Sequence, residues 1–560
     1  MVLNRRGFFK DSLAASLAFG YPPWPGKIQR GQHHGEVERV AEASSGKAPR
    51  QGDMVLFPLD DHAIPWRDNL KLTLERPRKY PGNPIIKPGP IEGPDGYECD
   101  VYGTVIKQGS KFRMWYLAGP RVDSRIPGDA ERLEFYRPVA YAESADGIHW
   151  DRPDLGLVEF RGNKNNNLVL IEPASEPFAR PMDFIAVFYE PEDPDPNRRY
   201  KMAYITYFSK GRRNLCATTA TAVSPDGLRW KLVNTKEFTH GNFENTSLTK
   251  FDGLYYLSGQ NLPPLDGSLP DGSPAGRVMK VFFSPDFRHW SNGRALAFYR
   301  ADYVPEPTSY GQEVHMGAGL WNRGNVILGF YGQWHGNTII RSPKTPGVPL
   351  KGLKIDLGLV VSNDAIHYRE PVRNFVMAPH GGPEDWDSEG VLQGNAFANT
   401  DTETYIWYST WDTSRPNTIP PLPEQLSESL LRKRGIGLLT MPRDRFGYFT
   451  KLLSVSEECG SNVKRGASCV TQSIRLRRPA ELYANVDDVS STLALQIAIV
   501  NDAEQPLPGY TSELSESSLK ARVRWEGAKL IPANTPFRIK VTWPMEVDHP
   551  KLYALYVEQE

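Results

Sequence analysis

A chain of 560 residues exceeds what one hydrophobic core ordinarily holds, so at least two domains are expected. Its 66 Lys and Arg balance 66 Asp and Glu, which argues against nucleic acid or an anionic membrane as the main partner and is compatible with a neutral glycan. Thirteen Trp and 25 Tyr supply ring faces for well-filled β cores or for sugar stacking.

In chain order, the first signal is Asn4-Arg5-Arg6-Gly7-Phe8-Phe9-Lys10, followed by the modestly apolar stretch 12–20. This closely resembles a twin-arginine export signal, taken as residues 1–26, and implies passage through the twin-arginine translocase to a bacterial periplasm or exterior. No run is long and apolar enough to span a bilayer, so no membrane association is expected after export. Residues 27–71 carry Gly, Ser, His and scattered charges without periodicity and are expected to form a flexible leader.

From about residue 72 the chain repeats itself. Ser144-Ala145-Asp146-Gly147-Ile148-His149-Trp150 is echoed by Ser224-Pro225-Asp226-Gly227-Leu228-Arg229-Trp230, Ser284-Pro285-Asp286-Phe287-Arg288-His289-Trp290 and Ser362-Asn363-Asp364-Ala365-Ile366-His367-Tyr368, with a worn fifth copy at Met441-Pro442-Arg443-Asp444. The aspartates recur every 60 to 80 residues, room for a four-stranded blade with loops. An Asp that bonds its own turn, followed by an aromatic that tucks back, makes a blade corner.

Ahead of each corner lies a hairpin whose first strand opens on a polar residue: Asp100, Asp183, Glu244, His315 and Gln393. Three residues later comes Gly103, Ala186, Ser247, Ala318 or Ala396, as strands crowding around an axis require. Five hairpins and five corners predict an all-β fold, with a five-bladed β-propeller over residues 72–450. Residues 451–467 are a Gly/Ser-rich junction. After it, alternating stretches at 481–486, 493–500, 521–525, 537–543 and 552–557 predict a C-terminal β-sandwich over 468–560. Cys459 and Cys469, ten residues apart, have a spacing at which a disulfide could close a surface loop; Cys99 and Cys216 fall in predicted strands and suit buried thiols. No Cys or His spacing suggests a metal, and no cofactor is expected.

With Asn83-Pro84 upstream of Asp100, the corner motif at 284–290, and Glu244 leading into Phe251-Asp252-Gly253-Leu254-Tyr255-Tyr256-Leu257, the stretch from about 72 to 450 resembles the five-bladed β-propeller glycoside hydrolases that include families 32, 43, 62 and 68. The Trp-Met-Asn-Asp-Pro-Asn-Gly, Arg-Asp-Pro and Glu-Cys-Pro motifs of family 32 are absent, which points to an uncharacterised branch. The resemblance implies an oligo- or polysaccharide substrate and a catalytic set of Asp100, Asp183 and Glu244.

Glycosidic cleavage needs an acid for the leaving oxygen and a carboxylate to activate water or attack the anomeric carbon. Glu244 is assigned as acid, Asp100 as base or nucleophile and Asp183 as orienter, with Glu98 the rival of Asp100 on the same strand face. A returning antiparallel strand ends where its partner begins, so Arg121, Gln260, Gln333, Trp334, His335 and Trp411 join His315 and Gln393 as candidate substrate contacts. Two rival functions are a glycoside phosphorylase, which would need cations such as Arg121, Arg212 and Arg213 to converge on phosphate, and a glycan-binding propeller without catalysis.

Overall fold

The computed structural model describes residues 52–133, 136–175, 177–209, 215–234, 238–239, 243–261, 277–300, 313–336, 353–410, 431–452, 466–527, 530–545 and 548–560. Regular structure there is almost wholly β, interrupted by the five-residue helix Asp129–Leu133 and the short 3-10 turns Pro177–Ala179 and Pro196–Arg198. No described helix is long and apolar enough to cross a membrane.

Five antiparallel sheets follow one plan. The first holds Glu98–Gln108, Lys111–Gly119 and Val139–Ser144; the second Asp183–Tyr189, Tyr200–Ser209, Leu215–Ser224 and Arg229–Leu232, with Leu170–Glu172 parallel on its outer edge. The third holds Phe243–Phe251, Leu254–Asn261, Met279–Ser284 and Ala295–Phe298, and the fourth Glu313–Asn322, Ile327–Gly336, Leu353–Ser362 and Val376–Ala378. Asn395–Asn399, Glu403–Thr410 and Ile436–Pro442 make the fifth, and its outer edge comes from far upstream, Arg78–Lys79.

The first strands of the five sheets are stitched in a ring. Val187 N donates to Thr104 Oγ1 at 2.8 Å, Asn245 Nδ2 to Phe184 O at 3.4 Å, the Thr246 hydroxyl to the Met316 carbonyl, and Leu320 N to Asn395 Oδ1 at 3.1 Å. The ring closes where Asn395 and Ala396 pair in parallel with Thr104 and Val105. Tight approach explains the small residue in each first strand: a Cβ on Gly103 would lie 2.0 Å from Trp115 O, and Ala186, Ala318 and Ala396 are fully buried.

In sheets one to four the register slips just past the polar leader, between Asp100 and Thr104, opposite Tyr204 and Ile205, between Asn245 and Ser247, and between His315 and Ala318. Extra unpaired residues at such a bulge turn the leading side chain away from the regular alternation. Phe184 and Met316 take left-handed φ values of 25° and 59° there.

The corners behave as the motif predicts. Asp226 Oδ1 accepts from Leu228 N at 2.7 Å and Arg229 N at 2.9 Å, Ser224 Oγ accepts from Gly227 N at 2.8 Å, and Trp230 Nε1 donates to Gly227 O at 3.0 Å. Trp115 of the preceding sheet also donates to Gly227 O, at 2.6 Å, and Trp407 of sheet five to Gly147 O, at 3.0 Å, so these two corners tie neighbouring sheets together. Asp444 is different. With Pro442 where the other copies have Ser, it makes no such turn; it is fully buried and accepts from Arg323 Nη2 at 3.0 Å, Asn399 Nδ2 at 2.9 Å and Tyr556 Oη at 3.1 Å.

Two further sheets complete the structure: Leu70–Leu74, Gly447–Lys451, Lys551–Gln559, Ala480–Asp487 and Ser518–Arg522, with Met54–Leu56 on Lys551–Gln559; and Trp66–Asp68, Ala467–Val470, Arg538–Trp543, Leu495–Val500 and Pro506–Leu514. Alternate residues of both, such as Leu482, Ala484 and Val486 from one and Ile497, Ile539 and Val541 from the other, form a single buried cluster. The flexible leader expected over 27–71 is therefore wrong for 54–56, 66–68 and 70–71, which are paired strands; Met54 lies opposite Val557, and Val55 and Leu56 are buried. Residues 72–74 and 447–450 likewise belong to this pair of sheets, not to the repeats.

No disulfide engages Cys469: it is a free thiol in the middle of this core, pushed up to a pKa of about 12 by burial. Cys459 lies outside the described residues. Cys99 is a buried free thiol, as expected.

Candidate active site

Glu98 and Asp100 begin the first strand of sheet one, and Asp183 begins that of sheet two, so ring packing brings them to the same end of the axis. What joins them is Arg137, two residues before the third strand of sheet one. Its guanidinium is 1% exposed. Nη2 lies 3.0 Å from Glu98 Oε2 and 3.3 Å from Asp100 Oδ2, and Nη1 lies 2.8 Å from Asp183 Oδ1. Arg434, two residues before the third strand of sheet five, adds a second cation: Nη1 stands 3.2 Å from Glu98 Oε1, Nη2 donates to Tyr97 Oη at 2.8 Å, and the guanidinium lies 5.0 Å from the Tyr97 ring centre.

Burial lowers the proton affinity of Arg137, but Asp183, Glu98 and Asp100 together outweigh it and keep the guanidinium charged. Asp100 goes the other way. Burial first, and then the adjacent Glu98 carboxyl with which it shares a hydrogen bond, hold Asp100 well above the ordinary carboxylate range. This environment favours the protonated form of Asp100, which weighs against the role of base or nucleophile expected for it. Asp183 is the open member of the group, with 21% of its side chain exposed.

Glu244 leads the next first strand and is placed by Gln260, which pairs with it across the sheet and donates from Nε2 to Glu244 Oε2 at 2.7 Å. The other end of that amide, Gln260 Oε1, accepts from Met316 N at 3.0 Å, fixing the amide orientation. Gln260 is thus a positioning residue. Beside it a column of rings crosses the end of the ring of strands: Phe184 on Tyr102 at 3.9 Å, Tyr102 on His315 at 6.4 Å, His315 on Trp334 at 5.2 Å, and the Arg277 guanidinium 4.3 Å from the Trp334 ring centre. Burial, then the charge of Arg277, hold His315 well below the usual imidazole value, so the ring is neutral at physiological pH.

The remaining nominated residues divide. Gln393 donates from Nε2 to His315 O at 2.6 Å and Gly317 O at 3.0 Å, bracing sheet five against sheet four. Gln333 faces the other way, donating to Phe375 O at 2.8 Å within sheet four, so it is not brought to the carboxylates. Arg121 is half-buried in the turn that also carries Asp123, with its carbonyl accepting from Arg161. Trp411, Arg212, Arg213 and the side chain of His335 lie outside the described residues. Among the described residues no group of three or more His, Cys, Asp or Glu could hold a metal ion.

Arg137 and Arg434 escaped the sequence reading, as did Arg277. The signal that finds them is positional: each stands two residues before a third strand, beginning at Val139, Ile436 and Met279.

The sequence matches no family model and no curated relative. Solved structures with a similar course include a glycosyl hydrolase from Bacteroides ovatus, 12% identical with a TM-score of 0.41, covering 69% of this chain and 98% of that one. A family 43 arabinoxylan arabinofuranohydrolase from Bacillus subtilis is 12% identical with a TM-score of 0.36, covering 87% of this chain and 99% of that one. Likenesses this distant do not fix the chemistry.

Proposed function

We propose that the five sheets are the blades of a five-bladed β-propeller, followed by a β-sandwich that recruits strands from 54–74, and that the carboxylate end of its axis hydrolyses glycosidic bonds in an exported protein. The observation that carries this reading is the gathering of Glu98, Asp100 and Asp183 from two adjacent first strands on one buried guanidinium, with Glu244 leading the third. Buried charges cost stability unless paired, and such clusters in a cleft are characteristic of sites where proton transfer is tuned.

The roles follow from environment. Glu244, oriented by Gln260, is the acid that protonates the leaving oxygen. Asp183, open and ion-paired, is the carboxylate that activates water or attacks the anomeric carbon. Asp100 and Glu98 share a proton and tune the charge around Arg137. Tyr102 and Trp334 are buried and stacked on both faces, so they brace the neighbouring strands and offer no open face to a sugar ring. Export rests on the paired arginines Arg5 and Arg6.

Hydrolysis is favoured over phosphorolysis because Arg137 and Arg434 are both engaged by carboxylates, leaving neither as an open phosphate anchor. The test is a panel of neutral and acidic glycans incubated with the wild type, with Asp183→Asn and with Glu244→Gln, in buffer with and without phosphate. Sugar release without phosphate that is lost in both variants supports the reading. Release only with phosphate indicates a phosphorylase, and tight glycan binding without turnover a binding propeller.

A further inference from the structure

The first strands also enclose a space at the end of the axis opposite the carboxylates. It measures about 390 Å³, within the size range of small-molecule sites, and all five strands line it, from Thr104 to Asn395 and Phe397. No Asp or Glu lines it, whereas Lys107, Arg323 and Arg443 do. Two of those cations, Arg323 and Arg443, share one nearby carboxylate, Asp444. Arg323 takes it closely, Nη2 to Oδ2 at 3.0 Å, while Arg443 Nε stays 3.8 Å away. Lys107 Nζ donates to a backbone carbonyl, Asn399 O, at 3.2 Å. Asn395 lines the same space, is 5% exposed, and its Nδ2 has no hydrogen-bond partner, although its Oδ1 accepts from Leu320 N at 3.1 Å. A buried amide N–H without an acceptor costs free energy, and a ligand oxygen would satisfy it. Ile106, Phe188 and Leu248 supply apolar wall.

We propose that this far-end cavity is a second ligand site, distinct from the carboxylate cluster, that takes a small carboxylate-bearing sugar of the uronic acid class. The carboxylate meets Lys107 and Arg443, hydroxyl oxygens accept from Asn395 Nδ2, and the apolar face of the ring lies on the Ile106 and Phe188 wall. The excess of positive charge selects the acid over the neutral sugar of the same shape.

The experiment is calorimetric titration of the full chain with D-glucuronate and, in parallel, D-glucose, at low salt and with added NaCl. Saturable glucuronate binding, weakened by salt and absent or much weaker for glucose, is expected. Lys107→Met should weaken it about tenfold, Lys107→Arg should retain it, and Glu244→Gln should leave it unchanged. Equal affinity for the two sugars, no binding of glucuronate, or affinity that Lys107→Met does not alter would overturn the proposal. Loss of binding in Glu244→Gln would place the ligand at the carboxylate end instead. Should Lys107→Met fail to fold, the sugar comparison and salt dependence in the wild type still decide. Because neither relies on turnover, this site stands or falls separately from the hydrolase reading.

Discussion

Replacing Arg137 with Met keeps the length of the side chain but removes the only cation within 4 Å of both Asp100 and Asp183 among the described residues. The side chains of Arg137, Glu98 and Asp100 are between 1 and 3% exposed, so water cannot take its place. Removing one partner of a buried ion pair costs about 3–5 kcal/mol. Asp183, with 21% of its side chain open, contributes less, and Arg434 still answers Glu98 Oε1, so the lower half of that range is expected at pH 7.5. The orphaned carboxyls neutralise themselves by taking up protons as pH falls, so the deficit should shrink by pH 5. Urea unfolding of both proteins at the two pH values measures this. Adding Asp183→Asn to the Met variant should recover part of the loss at pH 7.5, because the carboxylate that Arg137 had paired is then neutral, whereas Glu98 keeps Arg434. A deficit under about 1 kcal/mol, or one that grows on acidification, would refute the electrostatic account of the cluster.

Asp100→Asn replaces a carboxyl whose surroundings favour its protonated form with a neutral amide of the same shape. The folded pKa of Asp100 is raised, so its stabilising contribution is fully present below the unfolded value near 3.9 and is lost as pH rises through the folded value. The variant should therefore gain stability relative to wild type as pH rises above about 4, and urea midpoints that drift the opposite way would contradict it. Gly227→Ala should cost about 2–3 kcal/mol, because φ is +79° and the new Cβ would lie 2.6 Å from Trp115 Cζ2, whereas Gly109→Ala, at φ +59° with open space around it, should cost about 1 kcal/mol. Equal losses in thermal unfolding would show that the corner contact with Trp115 is not restrictive. Changing Arg5 and Arg6 to Lys should retain the protein in the cytoplasm, and unchanged export on cell fractionation would remove the twin-arginine reading.

The parts of the structure that were legible in the sequence are those fixed by neighbours in the chain. Corner aspartates bond amides two and three residues on, and polar leaders stand three residues before a small side chain, so both leave a local mark. Arg137 and Arg434 left a fainter one, since they reach the carboxylates only because a third strand happens to start at that end of the ring. The strands at 54–74 were hidden for a related reason: Met54 pairs with Val557, and no local pattern encodes a partner some five hundred residues away. The strand Pro506–Leu514 was obscured by Pro506, Pro508 and Gly509, which an edge strand tolerates. Asp444 shares the spacing of the corners but not their Ser and aromatic, and it became a buried counter-ion instead. The raised proton affinity of Asp100 could not be read from residue type at all, because it comes from burial beside Glu98.

The hydrolase reading is tested most directly by leaving-group dependence in Glu244→Gln. With the substrate found by the glycan panel and a matched series of aryl glycosides, turnover of the unactivated glycan should fall by about a hundredfold or more, while a nitrophenyl glycoside, which needs little protonation, should lose far less. Asp183→Asn should depress both alike. If Glu244→Gln slows every substrate equally, or if both variants keep full activity, the carboxylate end of the axis is not where the glycosidic bond is cut.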